Sequence, residues 1–86
     1  MSVSILTKVE RTPKFPGEWV RMTNETSEVY PIVICCPECT RLSSVSTQKH
    51  KITFHHDDTF SLEPSYVCPF PPCTWHVWIK HGVCTK

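Results

Sequence analysis

The residues best suited to chemistry in this sequence are cysteines and histidines at repeated spacing. Cys36-Pro37-Glu38-Cys39 and Cys73-Thr74-Trp75-His76 place two metal-binding side chains three positions apart, and Cys68 precedes Cys73 across Pro69-Phe70-Pro71-Pro72. Two thiolates so spaced on a tight turn can face one ion about 2.3 Å away, which is half of a tetrahedral site. Thiolate and imidazole both suit zinc. The spacing favours one structural Zn2+ held by Cys36, Cys39, Cys73 and His76. The set Cys36, Cys39, Cys68 and Cys73 stands beside it as the alternative, although the three prolines of its loop make that loop stiff.

Four protein ligands leave no coordination position for water or substrate, which separates a structural ion from a catalytic one. Structural zinc contributes on the order of 10 kcal/mol to the folding of small peptides. The metal-free chain is therefore expected to be largely unfolded. Of the other cysteines, Cys35 alternates with Cys36 along a strand and is read as a core residue facing the opposite way. Cys84 is read as a small core or edge residue. The run Phe54-His55-His56-Asp57-Asp58-Thr59-Phe60 is read as a solvated hairpin tip, because neighbouring residues in a strand or loop seldom converge on one ion. No nucleophile elbow and no Gly-rich phosphate loop is present, so the protein is expected not to be an enzyme.

Strands must position these groups. The chain has eight prolines, two glycines and no long run of apolar residues at helical spacing. Strands are predicted over 3–9, 18–22, 30–35, 41–45, 51–55, 59–62 and 77–80, with a short return at 83–85. Each is bounded by Pro, Gly, Asn, Asp or Ser. The fold class is all-β: a small antiparallel sheet, a meander with a two-knuckle metal site and little or no helix. Pro16-Gly17 and Lys80-His81-Gly82 are read as hairpin corners. With 86 residues the chain forms a single domain over 1–86, in which 1–14 is an edge strand or a loose arm. A chain this short needs a staple, and six cysteines supply one.

The start of the chain lacks the pattern of a secretory signal, and no apolar run approaches a membrane span. A cytoplasmic protein is expected, and in a reducing compartment clustered cysteines are metal ligands more often than disulfides. The net charge of +1 gives weak support to nucleic-acid binding.

Phe15-Pro16-Gly17-Glu18-Trp19-Val20, Cys36-Pro37-Glu38-Cys39, Ser61-Leu62-Glu63-Pro64-Ser65 and Cys73-Thr74-Trp75-His76-Val77-Trp78-Ile79-Lys80-His81-Gly82-Val83 follow one another in an order that resembles a small zinc-ribbon-like family of bacteria and phages. Some of its members lie beside prokaryotic ubiquitin-like conjugation genes. The resemblance covers roughly residues 12–85 and implies metal ligands at Cys36, Cys39, Cys73 and His76. Thr40 stands where the family's knuckle carries glycine, and Cys68 is an addition.

The function expected is a zinc-stabilised protein-binding module, such as a phage accessory protein that modulates a host complex. Exposure of Trp19, Tyr66, Phe70 or Trp78 would mark its anchors. A nucleic-acid-binding zinc ribbon, with a basic face around Lys49, Lys51 and Lys80, is the first alternative. A zinc hydrolase or conjugation-pathway component using Asp57, Asp58 or Glu63 as base is the second.

Overall fold

The computed structural model describes residues 5–23 and 28–85. Nine strands follow in order: β1 (Thr7–Lys8), β2 (Glu18–Arg21), β3 (Ile32–Cys35), β4 (Leu42–Val45), β5 (Lys51–Phe54), β6 (Phe60–Glu63), β7 (Tyr66–Val67), β8 (His76–Lys80) and β9 (Val83–Thr85). There is no helix among the described residues, so the all-β expectation holds. Accordingly, no helix there is long and apolar enough to cross a membrane.

The strands form three small sheets, ordered β1-β2-β3-β4, β5-β6 and β7-β8-β9. All pairings are antiparallel except β1 with β2, which run parallel with Thr7 opposite Glu18. Pro16-Gly17 is therefore not the hairpin corner expected from the sequence. Instead Glu18 N–H donates to Phe15 O at 3.1 Å, and Gly17 sits at φ +84°, closing a turn at the end of a crossover loop. Glu18 holds that loop: its carboxylate accepts both Nη groups of Arg11 at 2.9 and 2.8 Å and the N–H groups of Lys14 and Phe15. These hydrogen bonds, led by those from Arg11, lower its pKa to about 2. The segment before the loop is an edge strand, with Ile5 bridging Val83 of β9.

The other expected corner is present. His81 and Gly82, at φ +48° and +74°, join β8 to β9 as a two-residue loop with both φ values positive. The tip between Phe54 and Phe60 also forms as expected, with these two residues paired across β5 and β6. Strand β7 was not expected, since only Tyr66 and Val67 fit between Pro64-Ser65 and Cys68-Pro69.

Strict alternation builds the core. Trp19, Ile32, Ile34 and Val45 come from the first sheet, Phe60 and Leu62 from the second, and Tyr66, Val77, Ile79 and Cys84 from the third, in one apolar cluster. Trp19 meets Phe60 edge-on at 4.6 Å, and the Tyr66 hydroxyl hydrogen-bonds Ser43 Oγ at 2.5 Å. Cys36 and Cys68 belong to this same cluster, so the sulfur site is built onto the core. Cys84 is buried in it as expected, and Cys35 is fully buried as expected too, beside this cluster, with its thiol donating to Thr40 O at 3.5 Å.

Candidate metal centre

Two hairpin tips meet at the site. The first joins β3 to β4: Cys36 N–H donates to Arg41 O, and Thr40 N–H donates to Cys36 O at 2.9 Å, folding Cys36 to Thr40 into a knuckle. Closing it requires positive φ at Thr40, which adopts +61° where a glycine would do so without steric cost. The second joins β7 to β8: Cys68 N–H donates to Trp75 O at 2.9 Å, and Cys73 N–H donates to Phe70 O at 2.9 Å. That pair of bonds folds the proline-rich loop back on itself, so Cys68 and Cys73 point the same way.

The four sulfurs of Cys36, Cys39, Cys68 and Cys73 lie within 4.8 Å of one another. Cys36 Sγ is 3.6 Å from Cys73 Sγ, and Cys39 Sγ is 3.6 Å from Cys68 Sγ. In a tetrahedron with metal–sulfur bonds of 2.3 Å the sulfurs stand about 3.8 Å apart. The cluster has the dimensions of a metal site and could hold one ion. Each knuckle contributes one buried cysteine and one half-buried cysteine.

Backbone amides point at these sulfurs. Those of Glu38 and Cys39 face Cys36, that of Arg41 faces Cys39, and that of Phe70 faces Cys68. Burial nevertheless pushes the Cys36 thiol up to about 12 and raises that of Cys68, while the Arg41 amide lowers that of Cys39. A cation is the charge such a site lacks: it would displace the thiol protons and neutralise the thiolates that burial disfavours.

His76 lies outside the cluster, so the structure gathers the alternative ligand set and not the one favoured by spacing. The reason is strand parity. Trp75, Val77 and Ile79 point into the core, which turns His76, Trp78 and Lys80 outward. His76 Nε2 instead meets Ser65 Oγ at 2.6 Å on the exposed face. Cys68, which sequence spacing ranked second, takes the fourth corner. The signal that would have found it is the alternation Trp75-Val77-Ile79, which fixes the side on which His76 must fall.

Fold and site together define a small all-β protein with two cysteine knuckles able to hold a metal ion. No protein-family model matches the chain, and no curated protein or solved structure matches it.

Proposed function

We propose that the four cysteines hold one structural zinc ion and that the protein works by binding a protein partner through the outer face of the β7-β8-β9 sheet. Four thiolates in a tetrahedral arrangement suit zinc, and they fill the coordination shell of such an ion. The observation that carries the binding role is the distribution of apolar surface. Seven large apolar side chains are exposed among the described residues, and four of them, Ile5, Val67, Trp78 and Val83, fall on this one face. The opposite face of the same sheet buries Tyr66, Val77, Ile79 and Cys84 in the core. Sheet faces left this apolar mark interaction sites. Of the four aromatic residues considered as anchors, Trp19 and Tyr66 are buried and Phe70 packs partly against the core, whereas Trp78 is 53% exposed. The motif order, which resembles that of a small phage and bacterial family, suggests an accessory protein that modulates a host complex.

Two measurements test this reading. Elemental analysis should find one zinc per folded chain, and an iron-loaded or metal-free folded protein would overturn the zinc assignment. Immobilised zinc-loaded protein should capture a discrete partner from lysate of a bacterial host, and Trp78→Ala should lose that partner while keeping its zinc. Retention of the same partner by the variant would overturn the binding role.

A further inference from the structure

The four sulfurs of the candidate centre differ in what can reach them. Cys36 and Cys68 belong to the apolar core at 1% and 5% exposure, whereas Cys39 and Cys73 are half-buried and line an open hollow of about 340 Å³ between segments 38–41 and 70–74. A small solute entering that hollow meets one sulfur of each knuckle first. Each of these outer sulfurs has a buried neighbour across the site: Cys39 Sγ lies 3.6 Å from Cys68 Sγ, and Cys73 Sγ lies 3.6 Å from Cys36 Sγ. A disulfide bond is about 2.05 Å long, so closing either pair draws its sulfurs together by about 1.5 Å. Cys35 and Cys84 stand outside the cluster.

We infer that Cys39 and Cys73 are sites of oxidation by a peroxide, each resolved by the buried thiolate across from it to give the disulfides Cys39–Cys68 and Cys36–Cys73, a proposal that deepens the four-cysteine zinc reading above and rests on it. Thiolate is the form of cysteine that reacts, and a ligand set that holds zinc is already deprotonated. The Cys39 sulfur attacks one oxygen of hydrogen peroxide: an S–O bond forms, the O–O bond breaks, and the hydroxide that leaves takes a proton from solvent. Cys39 is then a sulfenic acid. The Cys68 thiolate attacks that sulfur, so that an S–S bond forms, the S–O bond breaks and a second hydroxide leaves and is protonated. Two sulfurs have together given up two electrons, and the peroxide has become two waters. A second peroxide does the same at Cys73 and Cys36. Each disulfide removes two of the four thiolates, and the remainder no longer fill the coordination shell of a zinc ion. Because both disulfides run from one knuckle to the other, they join the β3–β4 tip to the β7–β8 tip in place of the metal.

The test uses reduced, zinc-loaded, full-length protein titrated with hydrogen peroxide, with zinc release followed by a chromogenic chelator and disulfides mapped by mass spectrometry after free thiols are blocked. Zinc should leave in step with the first disulfide, and two equivalents should give Cys39–Cys68 and Cys36–Cys73. The oxidised, metal-free protein should keep a dispersed amide spectrum, whereas the reduced chain stripped by a chelator loses it. Limited alkylation of the unoxidised protein by iodoacetamide, which needs no variant that could misfold, should label Cys39 and Cys73 before Cys36 and Cys68. Disulfides within a knuckle, Cys36–Cys39 or Cys68–Cys73, no disulfide in excess peroxide, loss of dispersion on oxidation, or earlier labelling of the buried pair would overturn the proposal. The two readings fail separately. If the reduced, folded protein carries no zinc and the disulfides still form across the knuckles, the zinc reading falls and the pairing stands; if zinc is present and the disulfides form within the knuckles, the zinc reading stands and the pairing falls.

Discussion

Each ligand of the candidate centre is placed by a single residue's geometry, so single substitutions separate ligand from bystander. Cys68→Ser is expected to remove zinc and unfold the chain, whereas His76→Ala should keep one zinc per chain and stay within about 0.5 kcal/mol of the parent, as surface changes usually do. Metal analysis of the two purified variants checks this, and zinc loss in His76→Ala would restore the ligand set that spacing favours. Thr40 carries a different load. A residue with a Cβ costs about 1–2 kcal/mol in the left-handed region, and glycine gives back about 1 kcal/mol of that through its freer unfolded chain. The Thr40 hydroxyl offsets part of the remainder by donating to Cys39 O at 2.6 Å. Thr40→Gly should therefore stabilise the zinc-loaded protein by no more than about 1 kcal/mol in urea unfolding.

At the scale of elements, two turns decide how strands meet. Gly82 sits at φ +74°, and a Cβ there would lie 3.0 Å from Thr59 Cγ2 and 3.1 Å from Thr59 Cβ. Gly82→Ala should cost up to about 1 kcal/mol once the lost freedom of the unfolded chain is counted, read in urea, and more if the Thr59 side chain cannot move aside. The crossover loop before β2 depends on the Glu18 carboxylate, whose side chain is 13% exposed under Arg11. Its pKa is lowered from 4.5 to about 2, so its contribution is complete above pH 4.5 and is lost as the pH falls toward 2. Glu18→Gln should destabilise the zinc-loaded protein equally at pH 7 and pH 5, and by less at pH 4. A deficit that stays constant at all three values would show that the charge of Glu18 does not hold the loop.

For the whole molecule, the sulfur site and the core form one unit. Cys36 and Cys68 belong to the same apolar cluster as Trp19, Tyr66, Trp75 and Val77, which draws on all three sheets, so without a bound ion the four sulfurs would stand crowded against it. Structural zinc contributes on the order of 10 kcal/mol, comparable to the entire stability of a small domain. Chelation should therefore collapse the dispersion of the amide spectrum across all nine strands, not only near the knuckles, and re-addition of zinc should restore it. Persistence of dispersed signals from β5 and β6 after chelation would show that part of the fold stands without metal.

Much of this was legible in the residues. Short runs of β-branched and aromatic residues between prolines and turn formers placed eight of the strands to within a few residues, and Cys36-Pro37-Glu38-Cys39 marked the first knuckle, because these signals are local. His81-Gly82 was legible for the same reason, since a two-residue hairpin loop demands positive φ. What the sequence left open depended on relations between distant residues. The parallel pairing of β1 with β2 arises from a loop closed by Glu18 and Arg11, and no periodicity encodes it. The choice of Cys68 over His76 was decided by the core, which took Trp75 and Val77 inward and so turned the imidazole between them to the opposite face.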